Sequence, residues 1–169
     1  MTYVEKTVVI DPGKQGAAIA FCGMEPVASY YFKACEFTRG IDNAEFYEWL
    51  EHYAPDNIFI EKIDSIPHQG VKSTATQFFV YGQTYATCLM ANELCVIVDL
   101  PTQSWTTYIK KLSYKLEPTI LKSKEAAYRV ASAVYPDFVE QHRKTKNVPD
   151  CITDCLAMFL YAQTLNIVY

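Results

Sequence analysis

Three short apolar runs, each closed by an acid, constrain this chain more than any other feature. They are Thr7-Val-Val-Ile10 before Asp11, Asn57-Ile-Phe-Ile60 before Glu61, and Leu94-Cys-Val-Ile-Val98 before Asp99. Runs this short, rich in β-branched residues and without polar alternation, read as buried strands. Such strands need helices packed over them, and in open α/β sheets sites form outside the strand ends. The fold therefore has to combine a helix-covered sheet with carboxylates at its strand ends.

The remaining elements fit that frame. Runs 16–22 and 26–32 follow 7–10 at hairpin distances, with Gly13 and Gly23 between them, which predicts an antiparallel meander. Residues 42–53 read as a helix with Asn43 as N-cap, Phe46, Leu50 and Tyr53 at helical spacing, and Pro55 closing it. A polar loop over 65–74 precedes a helix over 76–92. That helix carries Phe78, Phe79, Val80, Tyr81, Tyr85, Leu89 and Met90 around most of its circumference. A helix apolar nearly all round has to bury more than one face, within the fold or against a partner subunit.

Pro101–Trp105 reads as a turn into a basic segment with Lys110, Lys111 and Lys115. Ser123 starts a helix with Ala127, Val130, Ala131 and Val134 on one face and Pro136 just after it. A polar loop over 141–147 leads to a closing helix with Pro149 in its first turn. The order β-β-β-α-β-α-β-α-α predicts an α/β fold with a mixed five-stranded sheet, its first three strands antiparallel, flanked by helices.

At 169 residues, half of them apolar and a fifth charged, the chain is expected to fold as one domain over 1–169. No apolar run approaches the roughly 18 residues of a membrane span, and Met1–Lys6 lacks the order of a signal peptide. A soluble cytoplasmic protein with no membrane partner is the expectation. The six cysteines have no framework or paired spacing and the three histidines are scattered, so free thiols are expected and zinc is disfavoured. The net charge of −4 conceals a block at 105–147 with nine Lys/Arg against four Asp/Glu. Such a block can bind phosphates locally, although a solvated charged face is the commoner role of a Lys-rich stretch.

In the closing helix Asp150 and Asp154 stand four apart, about 40° around the axis, and so share one face. Like charges so placed destabilise a helix by roughly 0.2–0.5 kcal/mol, which a bound cation would offset. The plainer account is that Asp150 favours the helix N-terminus through the dipole and Asp154 is solvated. If strands one and four are neighbours, Asp11 and Glu61 can converge with this pair, while Asp99 ranks below them because Leu100-Pro101 follows at once. Four carboxylates without Cys or His partners suit Mg²⁺ or Mn²⁺. Two such ions about 3.5–4 Å apart can activate a water and stabilise the leaving oxygen of a phosphodiester.

Five blocks in order carry a resemblance: Ile10-Asp-Pro-Gly-Lys-Gln-Gly16; Ile60-Glu-Lys62 with Gln69-Gly-Val-Lys-Ser-Thr74; Pro101–Trp105; Ser123–Ala126 running to Tyr135-Pro136; and Pro149–Ala157. Together they resemble RuvC-type Holliday junction resolvases of the small phage-like branch, over nearly the whole chain. The resemblance implies a ribonuclease H-like fold, Mg²⁺-dependent phosphodiester cleavage with two ions per site, Mn²⁺ as a substitute, and a homodimer making paired nicks across a four-way DNA junction. It implies Asp11, Glu61, Asp150 and Asp154 as the catalytic and metal-binding tetrad. It places Gln69, Lys72, Ser73 and Thr74 in a DNA-facing loop; if the gene is phage-borne, the enzyme works in the host cytoplasm. The bacterial branch spaces its last two acids three apart, against four here, and both spacings keep one helical face.

Lys72, Lys110, Lys111, Lys122 and Lys124 are then candidates for tracking phosphates. Phe78, Phe79 or Tyr81 could stack on an unpaired base, with core packing the commoner role for each. The apolar helix 76–92 is the candidate dimer interface. Competing readings are a nuclease for flaps, forks or RNA–DNA hybrids, and a junction-binding scaffold with a vestigial site. An actin-like ATPase needs a second lobe for which 169 residues leave no room.

Overall fold

The computed structural model describes residues 3–13, 15–35, 40–63, 70–92, 94–143 and 147–165. Strands β1 (Lys6–Asp11), β2 (Ala17–Cys22) and β3 (Glu25–Tyr31) are followed by helix α1 (Asn43–Tyr53), strand β4 (Asn57–Lys62), helix α2 (Val71–Ala91) and strand β5 (Val96–Pro101). Four helices complete the described chain: α3 (Thr102–Leu116), α4 (Ser123–Val134), α5 (Pro136–Gln141) and α6 (Asp150–Ala162). The sheet order is β3-β2-β1-β4-β5, with β1–β2 and β2–β3 antiparallel and β1–β4 and β4–β5 parallel. This is the predicted mixed five-stranded α/β sheet.

Because β1 and β4 lie centrally and are covered on both faces, successive residues alternate between two cores. Val9 and Phe59 face a core built with α3, α4 and α6. Val8, Ile10, Ile58 and Ile60 face a second core built with α1 and α2. The first core is anchored by α6, whose Phe159 stacks on Phe21 of β2 with ring centroids 3.7 Å apart.

Several boundaries depart from the sequence expectation for identifiable reasons. Asp42, not Asn43, caps α1, its carboxylate accepting from the Ala44 N–H at 3.2 Å. Helix α2 begins at Val71, so Lys72, Ser73 and Thr74 lie in its first turn; its polar opening carries no apolar period to mark it. Pro101 does not open a loop but caps α3, which covers the basic segment. Lys122 precedes α4 as its N-cap, its N–H bonded by the Glu125 carboxylate at 3.1 Å. Pro136 ends α4 and at once opens the short α5 as its first residue, a position that needs no amide donor. Strand β5 starts at Val96, two residues late, because Leu94 sits in a turn where its N–H bonds the Asn92 side chain.

The expectation that α2 buries more than one face is not met by the monomer. Val80, Thr84, Thr87 and Cys88 are buried, whereas Phe78, Phe79, Leu89 and Met90 are 43–71% exposed. All six cysteines are free thiols, and no described helix is long and apolar enough to cross a membrane.

Candidate active site

Parallel pairing of β1 with β4 sets Ile10 opposite Ile60, so Asp11 and Glu61 leave the sheet side by side at the same edge. By strand alternation both lie on the face of Val9 and Phe59, toward α6. The turn after Asp11 closes through the Gly16 N–H to the Gly13 carbonyl at 2.9 Å. Only glycine fits at 16: a Cβ there would stand 2.0 Å from the Asp11 carbonyl oxygen. Helix α6 then brings up Asp150 and Asp154. It is pinned by its buried face and by the Cys155 thiol, which donates to the Ala17 carbonyl at 3.4 Å, one residue after Asp154.

Asp99 takes no part, for a reason of parity. It faces the α2 side of the sheet, where it accepts a 2.5 Å hydrogen bond from the Tyr81 hydroxyl.

The electrostatics show that the four acids share one field. Burial, and then repulsion from Glu61 and Asp150, push the Asp11 carboxyl up to about 7 against the pull of Lys124. Burial followed by repulsion from Asp11, Glu61 and Asp150 pushes Asp154 up to about 8, again opposed by Lys124. Burial raises Glu61, while the neighbouring Thr102 hydroxyl and Trp105 indole pull it back down. The Trp105 Nε1–H donates to Glu61 Oε1 at 3.1 Å. Asp154 Oδ1 is buried with no hydrogen-bond partner. Asp150 is exposed and ion-paired to Lys124.

The acids sit where two clefts meet at Asp11. One, of about 560 Å³, is lined by Asp11, Gly16, Lys124, Asp150 and Asp154; the other, of about 740 Å³, by Asp11, Glu61, Gly70, Lys72 and Ser73. Lys72 and Ser73 thus reach the site from the first turn of α2, with Thr74 beside them. Gln69 lies outside the described residues. Lys124 is not an outlying phosphate contact but the cation at Asp150. Lys110 and Lys111 are exposed on α3 and form no ion pair among the described residues, and Lys122 is exposed at the head of α4.

The aromatic candidates lie elsewhere. Phe78 and Phe79 line a third groove of about 890 Å³ between α1 and α2, with Tyr47 and Met90, away from the acids. They are neither core residues nor neighbours of the acidic edge. Trp105, whose role sequence reasoning missed, is the aromatic side chain that touches a tetrad carboxylate; its place in the Pro101–Trp105 block was the available signal.

The donor set fits a hard divalent cation: four carboxylates, mutual repulsion lifting two of them toward neutral pH, and one buried carboxylate oxygen lacking any donor. Among the described residues no three His, Cys, Asp or Glu side chains are drawn together closely enough to ligate one ion. The charge that offsets the repulsion in this structure is the Lys124 ammonium.

No protein-family model matches the chain, and no curated protein matches it in sequence. Solved structures do match. Thermus thermophilus RuvC in complex with a Holliday junction substrate superposes with a TM-score of 0.62 at 12% identity, covering 95% of this chain and 96% of that one. A further T. thermophilus RuvC structure gives 0.59 at 12% identity, covering 94% and 96%. The fold is the RuvC-like, ribonuclease H-like fold over nearly its full length.

Proposed function

We propose that the chain is a Mg²⁺-dependent endodeoxyribonuclease that resolves four-way DNA junctions by paired phosphodiester hydrolysis. One observation carries the reading. Asp11, Glu61, Asp150 and Asp154 meet at one edge of a sheet whose whole fold follows RuvC, and RuvC has been solved on a Holliday junction.

Asp11, between both clefts, and Asp154, with its unpartnered oxygen, are the inner ligands for divalent ions; Glu61 and Asp150 complete the set. Two bound Mg²⁺ ions, or Mn²⁺ in their place, supply water activation and leaving-oxygen stabilisation. The protein's own residues do the rest. Trp105 orients Glu61, and Lys124 holds Asp150 and places a positive charge at the cleft where a phosphate would lie. Lys72 and Ser73 approach the strand from α2, and Lys110 and Lys111 offer phosphate contacts farther along α3.

A junction has near two-fold symmetry, so two sites on one C₂ dimer would nick equivalent strands. The exposed apolar face of α2, with Phe78, Phe79 and Met90, supports a homodimer through that groove.

The test is a substrate panel of one sequence context: an immobile four-way junction, a fork, a flap, an RNA–DNA hybrid and linear duplex, each with Mg²⁺ and with EDTA. Preferential Mg²⁺-dependent cutting of the junction is the expected result. Preferential cutting of the fork, flap or hybrid would keep the site and overturn the substrate. Tight junction binding with no cutting would overturn the enzyme reading in favour of a scaffold.

A further inference from the structure

Of the four tetrad carboxylates, Glu61 is the one held from inside the core. Its Oε1 accepts the Trp105 Nε1–H at 3.1 Å, and Trp105 is only 3% exposed. The indole belongs to the core that includes Leu100, Ile109 and Ala126, so packing fixes its ring. An indole N–H is a donor only and needs a partner when buried. Phenylalanine would supply most of the apolar surface at this position; what tryptophan adds is one donor, and that donor is spent on Glu61. Glutamate also has one more rotatable bond than aspartate, so among the acids it has the most conformational freedom to lose before it can serve as a ligand.

We propose that Trp105 is a positioning residue for Glu61: its buried N–H holds the carboxylate in the orientation that receives a divalent ion. The inference rests on the reading of the acidic edge as a metal site and adds a residue to it. Trp105 touches neither substrate nor ion and acts through Glu61. Losing an outer partner of a metal ligand costs roughly 10–100-fold in metal affinity. Trp105→Phe keeps the ring and deletes the donor, so it should weaken divalent binding by that factor. Cleavage lost at low Mg²⁺ should then return as Mg²⁺ is raised, a rescue that a purely structural defect would not show.

The experiment is Mn²⁺ binding to the full chain without DNA, read by electron paramagnetic resonance of free Mn²⁺, for wild type, Trp105→Phe and Asp11→Asn. Wild type binds, Asp11→Asn binds little, and Trp105→Phe binds 10–100-fold more weakly, with its EDTA melting temperature and its junction affinity in EDTA close to wild type. Trp105→Phe binding with wild-type affinity overturns the inference and leaves the metal site standing. A wild type that binds no Mn²⁺ overturns the metal-site reading and the inference together.

If Trp105→Phe folds poorly, Trp105 itself becomes the probe. The chain has two tryptophans, so in a Trp49→Phe background Trp105 is the remaining one. Its emission should change saturably as Mg²⁺ is added to EDTA-treated protein, and the change should vanish in Glu61→Gln. Emission that does not respond to Mg²⁺ in a background that still binds Mn²⁺ overturns the inference.

Discussion

Replacing Asp154 by asparagine is expected to stabilise the metal-free protein and to abolish cleavage. Burial and the charges of Asp11, Glu61 and Asp150 raise the Asp154 carboxyl from 3.8 to about 8 in the folded state. The folded protein therefore keeps a proton that the unfolded chain releases, and stability is lost as pH rises from about 4 to about 8. A difference of about four in pKa sets a ceiling near 6 kcal/mol at pH 8. Asp154 lies at a cleft wall and titrates together with Asp11, so screening and coupling bring the expected gain to about 1–3 kcal/mol. For a chain of this size that is roughly 3–10 °C in Tm. Thermal melts in EDTA at pH 5 and pH 8 check it: the mutant's advantage should be large at pH 8 and shrink toward pH 5. Saturating Mg²⁺ at pH 8 should stabilise the wild type and leave the mutant nearly unmoved. An advantage independent of pH, or a mutant less stable at pH 8, would refute the electrostatic argument.

Lys124→Gln removes an ion pair whose side chains are 70% and 55% exposed, so calorimetry should find stability changed by no more than about 1 kcal/mol. Because Lys124 lowers Asp11 and Asp154, the same change should move the rising limb of the cleavage pH profile to higher pH. Lys110→Ala with Lys111→Ala should weaken junction binding and reduce the log–log salt slope by about 2, measured by fluorescence anisotropy; an unchanged slope would remove α3 from the DNA path. Phe79→Glu, at 48% exposure in the apolar groove, should convert a dimer to a monomer by light scattering; a monomeric wild type at micromolar concentration would remove the proposed interface.

The acidic edge was legible because three runs end in acids and because Asp150 and Asp154 share a helical face by spacing alone. Which strand-end acids converge was not legible from pattern. Strands buried on both faces have no polar alternation, so nothing in 94–98 reveals that Asp99 faces α2 while Asp11 and Glu61 face α6. Proline misled twice in one way: Pro101 and Pro136 were read as marking a loop and a helix end, yet each also opens a helix, since a first-turn residue needs no N–H partner. The partner that fixes Glu61 comes from 44 residues away, a contact no local pattern encodes. The open face of α2 shows the converse: its apolar residues were plain in the sequence, but what covers them is not within this chain's described fold.

The central claim, that the acidic edge cuts junctions, is tested most directly by strand-resolved mapping of nicks in one immobile four-way junction, with wild type and Asp11→Asn in Mg²⁺. The account predicts paired, symmetric nicks on two opposing strands for the wild type. It predicts none for Asp11→Asn, although that variant still binds the junction. Undiminished cutting by Asp11→Asn, or wild-type protein that binds the junction and leaves every strand intact, would contradict it.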